Sequence, residues 1–92
     1  MIKSWKHKGL RKFYESEDKS GIIVEHAKKL KTILQLLDAA TTPINLDLPG
    51  FGFHKLKGEL KNFYAVTVRA NWRVIFQFDG QDFILVDYLD YH

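Results

Sequence analysis

Cysteine is absent from the 92 residues. That removes disulfide staples, thiolate metal sites and a thiol nucleophile, and it fits a reducing cytosol, so the cytoplasm is the expected compartment. No apolar run approaches the roughly 18 residues a membrane span needs, and the start, Met1-Ile2-Lys3-Ser4-Trp5-Lys6, lacks the apolar stretch of a signal peptide. His7, His26, His54 and His92 show no HExxH or other tight ligand spacing, so no metal and no cofactor are expected. Gly50-Phe51-Gly52 is too short for a phosphate loop and opens no helix. Ser4, Ser16 and Ser20 lie in no nucleophile elbow.

What remains is rich in apolar residues, 46% of the chain, with 14% aromatic. That composition argues against disorder. The length suits one domain spanning residues 1–92. The net charge of +3 is unevenly spread: residues 1–31 carry +5, 32–53 carry −2, 54–73 carry +4 and 74–92 carry −4. Such blocks permit a polyanion on one surface, although on charge alone an ordinary solvated surface is the preferred reading.

The first half reads as helical. Residues 2–6 alternate weakly, as a short strand would. Leu10, Phe13 and Tyr14 have the spacing of a helix over residues 8–16. Glu17 to Gly21 is a polar break, after which Ser20 is placed to cap a second helix. Over residues 22–40, Ile23, Ala27, Leu30, Leu34 and Leu37 form one stripe with Ile33 beside it. Thr41, Thr42 and Pro43 end it. His26, near the stripe, reads as a partly buried structural residue.

The second half has period two. Tyr64, Val66 and Val68 oppose Ala65, Thr67 and Arg69. Trp72, Val74, Phe76 and Phe78 oppose Arg73, Ile75 and Gln77. Asp79-Gly80 predicts a tight hairpin with positive φ at both positions, and residues 83–88 supply the last strand. The expected fold class is α+β, two N-terminal helices packed on a small, mainly antiparallel β-sheet.

The same half concentrates chemistry. His54, Lys55 and Lys57 precede Gly58. Arg69 and Arg73 flank Ala70-Asn71, and the sequence closes Asp90-Tyr91-His92. Together these suit metal-free RNA cleavage. The 2′-hydroxyl must lose a proton and the departing 5′-oxygen must gain one, and histidine can do either near neutral pH. Lysine and arginine can stabilise the phosphorane's charge. Singly, each has a plainer use as a surface histidine, a frayed end or a charged rim.

The run His54-Lys55-Leu56-Lys57-Gly58, then Tyr64-Ala65-Val66-Thr67-Val68, then Asn71-Trp72-Arg73-Val74-Ile75-Phe76-Gln77-Phe78, then Asp90-Tyr91-His92, resembles the HigB toxins of the RelE/ParE superfamily. The likeness runs from about residue 54 onward. It implies a compact RelE-like domain that cleaves mRNA in the ribosomal A site without a metal. It also implies contact with 16S rRNA there and a HigA-type antitoxin carrying a helix-turn-helix domain. Carried over by motif position, His54 and His92 are the acid/base pair, assisted by Asp90 and Tyr91. Lys57 and Arg73 would meet phosphate, and Asn71 would lie near the A-site bases. Leu89 stands where many relatives are polar. The alternative is a non-enzymatic inhibitor of DNA gyrase, as in the ParE branch, which would need neither the histidine pair nor the closing tripeptide. A plain RNA-binding module ranks last, because Trp72, Phe76 and Phe78 share the expected core face.

Overall fold

A computed structural model describes residues 1–91, and His92 lies outside the described residues. Helix α1 spans Lys8–Ser16, as the spacing predicts. Its N-terminus is closed by an imidazole: His7 is extended, and its Nδ1 accepts the Leu10 N–H at 2.9 Å. Leu10 and Phe13 are buried. At the other end Glu17 takes a left-handed φ of 59° and donates its N–H to Phe13 O.

Helix α2 spans Ala27–Ala39, later than the expected start at residue 22. A 3₁₀ turn, Val24–His26, leads into it. Ser20 does not cap it, because the Ser20 N–H is itself held by Asp18 Oδ1 at 3.0 Å. Gly21 lies flat against α1, where an added Cβ would come within 2.5 Å of Gly9 Cα. The chain therefore enters α2 only after crossing α1. The end agrees with expectation: Asn45 Oδ1 accepts the N–H groups of Thr41 and Thr42, and Pro43 opens a 3₁₀ turn.

Four strands follow: β1 (His54–Lys55), β2 (Tyr64–Arg69), β3 (Trp72–Phe78) and β4 (Phe83–Asp90). They form an antiparallel meander in the order β1-β2-β3-β4. The expected strand over residues 2–6 is reduced to two parallel bridges on β4, Ile2↔Phe83 and Trp5↔Val86. The hairpin at Asp79-Gly80 is wider than predicted. Gly80 alone of the pair has positive φ. Asp79 Oδ1 instead accepts the N–H groups of Gln81 and Asp82, and the last strand begins at Phe83. These bonds hold the Asp79 carboxyl below its usual range.

The helices cover one face of the sheet. Leu10, Phe13, Leu30, Ile33, Leu34 and Leu37 meet Val66, Val68, Val74, Phe76, Phe83 and Val86 there. This is the expected α+β architecture. His26 sits in it with 5% exposure, its Nδ1 2.6 Å from the Tyr88 hydroxyl. Burial raises the Tyr88 phenol, offset by a backbone hydrogen bond from Ile23.

The other face carries a second cluster, which the alternation reading missed. Leu56, Phe63, Ala65 and Ile75 are buried together, with Leu60, Leu85, Leu89 and Tyr91 against them. Here the connection from β1 to β2 folds over the sheet instead of leaving it to water. Among the described residues no helix is long and apolar enough to cross a membrane.

Candidate active site

The sheet register places His54 and Arg73 on this second face. His54 pairs with Ala65, Ala65 with Ile75, and Ile75 with Asp87. Paired residues share a face, so His54 stands over the sheet side that holds Ala65 and Ile75. Arg73, two residues before Ile75, shares that face and is paired with Leu89. Leu89 and Tyr91 pack into the same small cluster. His54 and Arg73 are thus two strands apart, or about 10 Å between backbones.

His54 is exposed on β1. Its Nδ1 lies 2.8 Å from the carbonyl oxygen of Gly52. A carbonyl can only accept, so Nδ1 carries the hydrogen. In the neutral ring Nε2 is then the lone-pair nitrogen. Lys55, beside it, lies 5.8 Å from the Tyr64 ring. Lys57 is exposed in the covering connection, just before the 3₁₀ turn Gly58–Leu60.

The C-terminal tip is tied to the β2–β3 turn. Tyr91 donates its N–H to Asn71 O at 2.8 Å. Asp90 pairs with Trp72 at the end of β4. Strand alternation puts Asp90 on the opposite side from Leu89 and Tyr91, at an exposed edge. The turn itself uses Ala70 at φ 52°. Asn71 and Tyr91 are therefore brought near Arg73, whereas Asp90 lies at the same end of the sheet but faces its other side. His92, the remaining expected residue, lies outside the described residues.

Arg73 is more committed than a surface cation. It is half-buried, and its Nη1 donates to the carbonyls of Ala70 and Trp72. Its Nε is buried without a hydrogen-bond partner among the described residues. Such a donor is costly to leave unpaired.

Sequence reasoning missed Lys6. Its N–H bonds Val86 O, which sets Lys6 beside Asp87 on the outer edge. The amine lies 5.8 Å from the Phe63 ring. The clue was available only as a basic N-terminal block of unknown placement. Gly52 and Thr67 were also missed. A Cβ on Gly52 would lie 2.7 Å from Thr67 Oγ1, a proximity that period two does not reveal.

A cavity of about 390 Å³ lies elsewhere, between the helices, lined by Phe13, Tyr14, Glu17, Lys31 and Gln35. It is on the other side of the sheet from His54 and holds none of the residues singled out above.

Known proteins match this chain along nearly its whole length. A family described as RelE-like toxin of type II toxin-antitoxin system HigB matches residues 3–92. The chain is 40% identical over 92 residues to Endoribonuclease HigB of Proteus vulgaris, covering all of both chains. It is 37% identical over 97 aligned positions to Toxin HigB-1 of Vibrio cholerae serotype O1 (strain ATCC 39315 / El Tor Inaba N16961), covering all of this chain and 98% of that one. Since the family match begins at residue 3 and ends at His92, both helices and the whole sheet fall within it: the chain belongs to the RelE-like HigB toxins of type II toxin–antitoxin systems.

Proposed function

We propose that this protein is an endoribonuclease that cuts mRNA in the ribosomal A site, with the second face of the sheet as its active surface. The observation that carries the reading is the His54 hydrogen bond. With Nδ1 spent on Gly52 O at 2.8 Å, the neutral imidazole offers Nε2 as a proton acceptor. The similarity to a protein named Endoribonuclease HigB supports it.

In the proposed reaction the 2′-hydroxyl proton goes to His54 Nε2 as O2′ forms its bond to phosphorus. The bond from phosphorus to O5′ breaks, and O5′ takes a proton from His92. The products are a 2′,3′-cyclic phosphate and a 5′-hydroxyl. Lys57 and Arg73 neutralise the phosphorane, the lysine as a point charge and the arginine through its planar guanidinium. Tyr91 and Asp90 assist at the C-terminal tip, and Asn71 lies near the bases. Ribosome and message are one set of partners, with 16S rRNA holding the toxin in place. The other is the antitoxin that a type II system implies, which we take to be of the HigA helix-turn-helix kind.

Primer extension on a translated message tests this, run with the parent and with His54→Ala. Cuts within codons, present with the parent and lost with the variant, are expected. Growth arrest without message cuts, accompanied by blocked supercoiling, would move the assignment to gyrase inhibition.

A further inference from the structure

Gly52 sits at an interruption in the ladder that carries His54. β1 meets β2 through His54↔Ala65 and Lys55↔Tyr64. Earlier in the chain the two segments touch again, where the Thr67 N–H donates to Phe51 O at 2.6 Å. Phe51 is buried in the main core. Between these fixed points Gly52 takes φ 56°. That is left-handed backbone, open to glycine and strained for most other residues. Space is short as well. An added Cβ would lie 2.7 Å from Thr67 Oγ1 and 3.6 Å from Thr67 Cβ. The dihedral and the close approach therefore both call for glycine here.

The result is felt at His54, whose Nδ1 meets the Gly52 carbonyl at 2.8 Å. Interruptions of this kind beside active sites re-aim a side chain or, as here, a backbone group. In water a neutral histidine prefers its hydrogen on Nε2. The tautomer that leaves Nε2 free is the minority form, and an acceptor at Nδ1 reverses the preference.

We propose that Gly52, backed by Thr67, is a positioning residue for the general base: its left-handed backbone turns its carbonyl onto His54 Nδ1 and so sets the tautomer in which Nε2 carries the lone pair. This rests on the reading of His54 as the base. Gly52 itself touches no reacting atom. Its part is to hold a second group in one of two chemical forms. A glycine kept only for chain flexibility would leave the tautomer indifferent to its replacement.

Nitrogen-15 spectra of the labelled imidazoles test this, with the His54 signals assigned by their loss in His54→Ala. The parent at a pH where His54 is neutral should show Nδ1–H and an unprotonated Nε2. In Gly52→Ala the hydrogen should move toward Nε2. The single-site rate kcat on programmed ribosomes should fall by about tenfold or more, with KM held within about twofold. In Gly52→Ala/Thr67→Ala, where the 2.7 Å contact is gone, part of the Nδ1–H form and part of kcat should return. A parent spectrum with Nε2–H at His54 would overturn the proposal. So would a folded Gly52→Ala protein with the parent's tautomer and kcat. If Gly52→Ala does not fold, the parent spectrum and the double variant decide the matter. A parent that cuts no message would overturn the nuclease reading instead, while the spectra still report whether Gly52 sets the tautomer.

Discussion

The two faces of the sheet are built from alternate residues of the same strands, yet they serve different ends. On the helix side, fifteen buried residues form one cluster among the described residues. On the other side only Leu56, Phe63, Ala65 and Ile75 are buried together. Around that smaller cluster stand Lys6, His54, Lys57, Arg73 and Tyr91. Period two allows this division, because a change at one position reaches only one face. The large core supplies most of the apolar burial. The small one does something narrower: it holds the connection from residue 56 to 63 down on the sheet, and with it the segment bearing Lys57. On the proposed reading, stability and chemistry are thus largely separable here.

The largest effects should fall on opposite faces. Phe76 is fully buried against Phe83 and Tyr64 on the helix side. Phe76→Ala should cost about 3–5 kcal/mol, a large share of the roughly 5–15 kcal/mol that holds a domain together. A drop in melting temperature of more than about 10 °C is expected. His54→Ala should do the reverse, lowering message cleavage about 10²–10⁴-fold while the melt moves by no more than about 3 °C, since the side chain is exposed. Thermal melts paired with primer extension check both. A His54→Ala protein that melts like Phe76→Ala would show that the two faces are not separable.

Arg73 sharpens the comparison, because it does some of each job. It holds the β2–β3 turn through Ala70 O and Trp72 O, and on the proposed reading its charge also meets phosphate. Arg73→Lys keeps the charge and loses the planar fork. A charge-assisted hydrogen bond is worth about 1.5–3 kcal/mol, so cleavage should fall about ten- to a hundredfold, with a small loss of stability. Lys57→Ala, at an exposed position, should lower cleavage with no change in the melt. Cleavage by Arg73→Lys at the parent's rate would mean that only net charge counts there.

What was legible in the sequence follows the same division. The helix-side core could be read because its residues recur at 3.6 or at two: Leu30, Leu34 and Leu37, or Val74 and Phe76. The second cluster could not, since Ala65 and Ile75 sit in a register otherwise occupied by Thr67, Arg69, Arg73 and Gln77. Its cover, Leu56 and Phe63, comes from a stretch with no period. The start of α2 was misplaced because a contact between Gly9 and Gly21 decides it, and local propensity knows nothing of that contact. The candidate residues themselves were legible as an ordered motif from His54 to Asp90-Tyr91-His92. Their physical state was not. The tautomer of His54 depends on the backbone of Gly52, and the placement of Lys6 depends on pairing with β4, eighty residues away in the chain.

The smallest expected effect lies on the helix side and depends on pH. Tyr14 donates its hydroxyl to Asp38 Oδ2 at 3.0 Å, and the other oxygen of that carboxylate accepts the Ile2 N–H at 2.9 Å. One carboxylate thus joins α1, α2 and the N-terminal segment. Burial first, and then the Asp38 carboxylate, push the Tyr14 phenol up from 10.0 to about 12. The folded protein therefore keeps this proton more tightly than the unfolded chain does. Up to about pH 10 both states are protonated and the contribution to stability is complete. Above it the unfolded chain ionises first, and the contribution is lost as pH rises through the folded value. Tyr14→Phe should be less stable than the parent by about 1 kcal/mol near pH 8, with message cleavage unchanged. The gap between the two should narrow from pH 10 toward 12. Urea unfolding of both proteins at pH 8, 10 and 11.5 gives the comparison, and other alkaline titrations, Tyr88 among them, cancel in the difference. A gap that stays constant over this range would mean that the Tyr14–Asp38 bond does not hold the proton in the folded state.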